Sequence, residues 1–406
     1  MRIMTTVYTA PALLAVALLL APAAAARAQT AAPVRPAAPQ PAGASAGAVP
    51  PRAPRPNGAI GDNDPKPDFV SSARRLFTAP ELPDAPDEWI DRSLRWVDAI
   101  LDAFKPAIVE HPVRRAALTR LDDILHIPSA PEKALVQRYY RSRIERAVDE
   151  IERTKVTSGM RIWKLYNHGF LVRTPTVSFA FDLVPGVEKI DGFSIPQDLL
   201  ARLAAQADAL FISHWHNDHA NPAAARLFIA QGKPVVVPER LWKDKPELSE
   251  LSKALTYLER STTKTHELRV RGGEQRLQVV VYPGHQGPSV LVNVPLVITP
   301  EGFSVIHTGD QWNADAPGSD FDWLAQIGRD HEVDVFLPNC WTNGLARMAR
   351  GINPALIVTG HENEMGHTVP HREDYTQTYN RLFDIPYPSA VMAWGESIHY
   401  ERVHHD

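Results

Sequence analysis

The chain has 406 residues, 44% hydrophobic and 22% charged, which is enough to bury an ordinary core and too long for one small domain. A net charge of −4 leaves no basic surface to grip a phosphate backbone and excludes nucleic acid as the expected partner. The single cysteine, Cys340, excludes an intramolecular disulfide and any cysteine-rich zinc module, whereas 16 histidines, all but His111 and His126 at or beyond His168, point to metal or proton chemistry.

Arg2 is followed by no charged residue until Arg27, and Ala12 to Ala21 is a short apolar run. Ala26-Arg27-Ala28 then puts small residues where a signal peptidase reads them. The pattern predicts a signal peptide over 1–28, cut after Ala28, and a periplasmic or secreted mature protein with no transmembrane span; an uncleaved anchor is the other reading. Residues 29–68 are rich in Pro, Ala and Gly and read as a disordered, extended tether. A helical segment is expected over 69–158. Ile90, Leu94, Val97, Leu101 and Phe104 recur at helical spacing, a second helix runs from Val113 to Leu125, and Pro131 opens a third that ends near Lys155. Arg138, Arg141, Arg143 and Arg146 read as a solvated face balanced by Glu145, Asp149 and Glu150 on the same helix.

From 159 to 406 the rhythm becomes that of an α/β domain. Short strands are expected at Arg161–Tyr166, Phe170–Arg173, Val177–Asp182, Ala209–Ser213, Pro234–Val237, Leu277–Tyr282, Val290–Ile298, Phe303–His307, Val333–Leu337, Ala355–Val358 and Ala390–Trp394. Helices fall between them, at Pro196–Gln206 and Asn221–Gln231 among others, and no internal repeat is evident. No Gly-rich phosphate loop and no Gly-x-Ser-x-Gly elbow is present, so nucleotide binding and serine hydrolysis lack motif support.

The segment Phe211-Ile-Ser-His-Trp-His-Asn-Asp-His219 carries the chemistry. A buried strand ends at Ser213. His214 and His216 are two apart, so in extended backbone they leave on one side, and Asp218 and His219 follow as the chain turns into a helix. Four ligand-type side chains in six residues, at the carboxyl end of a strand, are costly to bury without an ion.

This pattern resembles the metallo-β-lactamase-fold metallohydrolases, whose signature is His-x-His-x-Asp-His. The resemblance runs from Gly159 to Val403. Tyr282-Pro-Gly-His285 matches the family's third histidine, His307-Thr-Gly-Asp310 its bridging aspartate and Val358-Thr-Gly-His361 its last histidine, while Asp182 fits its early structural aspartate. The resemblance implies an αββα sandwich after the helical segment, with His214, His216 and His285 on a first metal, Asp218, His219 and His361 on a second, and Asp310 between them. It also implies two zinc ions generating hydroxide at neutral pH, oriented by Asp218. The imidazole and carboxylate donors accept manganese or iron as well.

Departures narrow the branch. Asp310 occupies the bridging position, unlike the true β-lactamases. His216 stands where the flavin-linked di-iron branch has Glu. Only 45 residues (406 minus 361) follow His361, too few for the helical extension of glyoxalase-type thioesterases. The opening Asn167-His168-Gly169-Phe170-Leu171-Val172 looks more like the branch of ascorbate-6-phosphate lactonase and N-acyl-phosphatidylethanolamine phospholipase D.

Around the motifs, His367 and His371 are candidates for contacting substrate, beside Glu362 and Asn363. Trp215, Trp312 and Trp341 are expected to pack, with a hydrophobic substrate wall as the alternative. His168 is expected to be a turn residue that orients its neighbours, and Cys340 a buried small residue. The expected activity is hydrolysis of a phosphodiester, lactone or other ester on a small or lipid-like molecule. The rival readings are a mononuclear iron persulfide dioxygenase-like enzyme and a non-catalytic metal-binding protein.

Overall fold

The computed structural model describes residues 85–311, 319–342 and 344–402; the expected signal peptide, tether, start of the helical segment, and Trp312 lie outside them. Three helices come first, α1 (Asp87–Ala103), α2 (Pro112–Leu125) and α3 (Ala134–Arg153). α1 buries Ile90, Leu94, Val97 and Leu101, the stripe expected from spacing. α2 begins where Pro112 tolerates a missing N–H, with the His111 ring accepting from Val113 N–H. Pro131 lies in a separate short 3₁₀ turn, Ala130–Glu132, so α3 begins at Ala134.

The arginine series on α3 is solvated only in part, with Arg138 and Arg146 exposed and Arg143 buried. Arg143 is only 4% exposed; it donates to Asp98 Oδ1 at 3.1 Å and to the Trp394 carbonyl at 3.0 Å, while Arg146 pairs with Asp98 and Asp102. Asp98 and Asp102, four apart on α1, form an acidic row against which Arg143 and Arg146, three apart, dock. Partners on a neighbouring helix are invisible to spacing along one helix. Arg114 of α2 is fully buried and makes a bidentate pair with Glu396, near the end of the chain.

The remaining strands form two seven-stranded sheets. The first contains β1 (Met160–Lys164), β2 (Phe170–Arg173), β3 (Ser178–Phe181), β4 (Ala209–Phe211), β5 (Val235–Val237), β6 (Thr256–Tyr257) and β14 (Ser397–Tyr400), in the order 14-1-2-3-4-5-6. The second contains β7 (Thr265–Val270), β8 (Gln275–Gln286), β9 (Val290–Ile298), β10 (Ser304–His307), β11 (Val335–Leu337), β12 (Leu356–Val358) and β13 (Ser389–Ala390), in the order 13-12-11-10-9-8-7.

Alternation along the strands sorts the side chains into layers. Val305, Val335 and Val358 join Phe170, Phe179 and Phe211 in an apolar layer between the sheets. Ile306, Phe336 and Ile357 point the other way, into a core shared with helices. Those helices are α4 (Gln197–Gln206), α5 (Pro222–Ala230), α6 (Ser249–Ala254), α7 (Ser319–Asp330), α8 (Leu345–Ile352) and α9 (Tyr375–Leu382). The result is the αββα sandwich expected from the sequence. α1–α3 bury their apolar faces in the same core.

Four details depart from expectation. β8 runs to Gln286, so His285 lies within a strand rather than after one. β13 is confined to Ser389–Ala390. β6, β7 and β14 went unread; β7 buries only Leu268 and Val270, and its charged partners mask the alternation. Finally, the two halves repeat one pattern. Each sheet passes from antiparallel pairs to parallel ones, turning at β3 and β10. Each turning strand starts with a serine whose N–H donates to an aspartate across 2.8 Å, Ser178 to Asp208 and Ser304 to Asp334.

Candidate metal centre

β3 and β4 are parallel neighbours, and the residues that follow them meet. Asp182, in left-handed backbone at φ 42°, turns its carboxylate onto the neighbouring chain. There it accepts the Ser213 N–H at 2.7 Å, the Ser213 hydroxyl at 2.6 Å and His219 Nδ1–H at 2.7 Å. Ser213 Oγ in turn lies 3.0 Å from His214 Nδ1. With both Nδ1 atoms engaged, the Nε2 atoms of His214 and His219 are left buried and in no hydrogen bond. The Asn221 side chain caps α5 at 2.9 Å and ends the motif loop.

The second sheet supplies the other half. Among the described residues three sets of potential ligand atoms come together, and two of them share Asp310: Asp218, His219, Asp310 and His361 in one, and His214, His216 and Asp310 in the other, while His168, Asp182 and His307 form the third. Asp310 divides between the first two. Its Oδ1 lies 3.1 Å from His219 Nε2 and 3.5 Å from His361 Nε2, whereas its Oδ2 faces His214 Nε2 at 3.7 Å. Asp218 Oδ2 is 3.2 Å from both His219 Nε2 and His361 Nε2. Converging imidazoles around shared carboxylates, with Nε2 of His214 and His219 in no hydrogen bond, fit divalent ions, and no thiolate favours a soft one.

His285 stands at the edge of this arrangement, 19% exposed and in none of the sets. Asp320 on α7 holds its Nδ1 at 3.1 Å, its backbone N–H donates to Gln311 Oε1 at 2.7 Å, and Gln311 in turn donates to Asp320. The next residue, Gln286, reaches Asp310 Oδ2 at 3.1 Å, which puts this strand end on the His214 side.

Electrostatics separates the two sets that share Asp310. Burial, reinforced by His219, pushes His214 down to about 3. Burial would also depress His219 and His361, but Asp310 and Asp218 outweigh it, holding His219 well above its ordinary value and raising His361 to about 9. Burial disfavours the ionised forms of Asp218 and Asp310, yet the facing histidines hold both well below the usual carboxylate range.

Several supporting residues have roles here that the sequence does not give. Asn167 donates to Asp218 Oδ2 at 3.1 Å while its carbonyl accepts the His361 N–H at 3.1 Å. Asn339 donates to Asp310 Oδ1 at 2.6 Å, so with Gln286 each oxygen of Asp310 holds one amide. The Trp341 indole N–H points at His361 Nδ1, 3.2 Å away. These are amides and an indole, residue types that spacing rules do not single out.

The other candidates divide. The His367 ring lies 5.6 Å from that of His361, but the His371 side chain is exposed and only its carbonyl takes part, accepting from His367 Nδ1. Glu362 is buried against Lys164, and Asn363 donates to Asp122, so both face away from a substrate. Trp215 does not pack as expected; it stands 55% exposed with its ring 4.4 Å from that of His216. His168 is fully buried and orients His307 through its carbonyl, which accepts Nε2–H at 3.0 Å. Cys340 is buried, as expected.

No family model matches the chain, and no curated protein matches it by sequence. Among solved structures it is similar to Igni18, a metallo hydrolase from the archaeon Ignicoccus hospitalis, at 16% identity over 61% of this chain and 100% of that one, with a TM-score of 0.45. It is also similar to an isothiocyanate hydrolase from Delia radicum gut bacteria, at 12% identity over 59% and 99% of the two chains with a TM-score of 0.43. A third likeness is to CmlA, a diiron β-hydroxylase from Streptomyces venezuelae, at 14% identity over 60% and 55% with a TM-score of 0.42. These likenesses, all with TM-scores below 0.5, carry no argument about chemistry.

Proposed function

We propose that this chain is a metal-dependent hydrolase of the metallo-β-lactamase superfamily, acting on a phosphodiester, lactone or other ester through two metal ions, zinc by preference. The observation that carries the reading is the division of Asp310, with Oδ1 facing His219 and His361 and Oδ2 facing His214. His214 and His216, with His285 at their edge, would hold one ion; Asp218, His219 and His361 would hold the other. A pair of divalent ions there would supply Lewis acidity and bring the pKa of a bound water to about 7.

The chain's own residues do the rest. Asp182 and Asp320 fix the Nδ1 sides of His219 and His285, so that Nε2 is the atom offered. Asp218, held through Asn167, is positioned to orient the attacking water and take its proton. Trp215, exposed beside His216, presents an apolar wall to a small or lipid-like substrate. The residues before position 85 support export to the periplasm or beyond through a signal peptide cut after Ala28.

Metal analysis of the purified protein, with steady-state assays on an aryl phosphodiester, a lactone and a simple ester, tests this. About two zinc per chain are expected, with turnover lost to a chelator and restored by zinc. One iron per chain without ester turnover would favour the persulfide dioxygenase reading. Two zinc without turnover on any ester would favour a binding protein.

A further inference from the structure

The loop that presents His361 is held from a distant part of the chain. His361 and Asn363 both adopt left-handed backbone, at φ 75° and 56°, a conformation that residues with a Cβ rarely take without external support. Within the loop the Asn363 N–H donates to the Glu373 carbonyl at 2.7 Å, closing it into a hairpin-like excursion. Its outer support comes from the helical segment. Asp122 of α2 accepts from Asn363 Nδ2 at 3.0 Å and from the Tyr375 N–H at 2.9 Å through Oδ1. Through Oδ2 it accepts from the N–H and hydroxyl of Thr376, at 3.1 and 3.2 Å. One buried carboxylate thus grips both ends of the loop, across 241 residues to Asn363 and 253 to Tyr375.

Further contacts reinforce the join. Arg372 donates to the carbonyls of Leu125 and Ile127, at 2.9 and 3.3 Å, as α2 ends, while the His126 ring meets the Arg372 carbonyl at 2.7 Å. These bonds satisfy backbone groups that a helix terminus otherwise leaves open. Removal of a buried acceptor would leave three residues' donors without a partner, which loosens the loop rather than merely thinning a contact.

We propose that Asp122 is a positioning residue for the His361 half of the metal centre, and that the helical segment is a structural part of the site rather than a cover over it. The proposal rests on the metal-centre reading for its consequence, but its mechanical core does not. Asp122→Ala removes every acceptor atom, whereas Asp122→Asn keeps one oxygen and should restore part of the effect.

The first measurement is hydrogen exchange on the full chain treated with chelator. In Asp122→Ala, amides of 361–376 should exchange at least tenfold faster, with β8 to β12 unchanged and Asp122→Asn intermediate. The second is cobalt titration followed by visible absorption. One equivalent should bind as in wild type and the other about tenfold more weakly or worse. A lower melting temperature with loop exchange and both equivalents unchanged would mark Asp122 as a simple fold contact and overturn the proposal. If the alanine variant does not fold, Asp122→Asn carries the same two readouts, and wild-type values in it overturn the proposal equally. Should wild-type protein bind no metal, the functional reading fails, and hydrogen exchange alone decides the positioning claim.

Discussion

Asp182 accepts the Nδ1–H of His219 across 2.7 Å, and both side chains are fully buried. The bond fixes which nitrogen of His219 carries the proton and which is offered to the centre. Asp182→Asn puts an amide where an acceptor is required. It should weaken binding of one metal equivalent by about 10- to 100-fold while leaving the strands folded. Competition with a chromogenic chelator measures this, and unchanged affinity would remove Asp182 from the site's support.

Asp310→Ala should cost one metal ion and most activity without unfolding the sandwich. The carboxylate's charge is balanced by the groups of the centre, so its loss acts on ion affinity before it acts on packing. Elemental analysis alongside circular dichroism gives the answer; two ions at wild-type occupancy would contradict a bridging role.

Trp341 makes a less intuitive prediction. Its indole N–H points at His361 Nδ1 and so opposes a proton there; in the neutral ring the proton sits on Nε2, the atom facing Asp218 and Asp310, and the charged ring that those carboxylates favour must turn the indole aside. Metal ligation through Nε2 needs the opposite tautomer. Trp341→Phe removes the donor and should tighten the second equivalent by about threefold to tenfold, against roughly 1 kcal/mol for an ordinary hydrogen bond. Calorimetric titration would show weaker binding instead if the tryptophan helps to hold the histidine in place.

How far the sequence reaches can be judged from these residues. The ligand types were legible because they cluster in a short motif or sit beside strand ends, where hydrophobic runs stop. Asn167, Asn339, Gln286 and Asp320 were not, because each acts on a ligand distant in the chain. Arg143 reads as solvated for the same reason, since its acidic partners lie on another helix. The fold's own repetition was hidden as well, with the paired Ser178–Asp208 and Ser304–Asp334 contacts too sparse to register as sequence similarity.

The centre should also bind protons and metal in competition. His219 and His361 are held above their ordinary value, the latter at about 9, so both carry protons at neutral pH before an ion arrives. His214, pushed down to about 3, does not. In metal-free protein His361 contributes stability that is complete below about pH 6.5 and lost as pH rises through about 9, and His219 acts in the same direction. On loading, about two protons should leave with the ion that His219 and His361 take up, and about none with the other. Calorimetry in buffers of different ionisation enthalpy counts them, and equal release for both equivalents would refute the asymmetry.

β-Lactam hydrolysis should be negligible. Asp310 adds a second carboxylate beside Asp218, lowering the residual positive charge available to a lactam's carboxylate and leaving nitrogen. No Lys or Arg occurs between Gly284 and His307, and Arg260, which folding brings to this stretch, donates to the carbonyls of Gly284 and Val292. Turnover of a penicillin or carbapenem should fall below that of an aryl phosphodiester or lactone by about 100-fold, near 3 kcal/mol in the barrier. Steady-state kinetics on zinc-loaded protein decides it, and efficient lactam cleavage would sink the branch assignment.

The two-sheet repetition has a consequence for assembly. Both ligand sets that share Asp310 draw on both halves of the fold, since Asp310 follows a strand of the second sheet and His214, His216, Asp218 and His219 follow one of the first. Severed between Tyr257 and Thr265, where one sheet ends and the next begins, the chain would yield two fragments, neither owning a complete chelating set. An ion held in the seam would act as a bolt between matched plates, its binding free energy contributing to the mating of the halves.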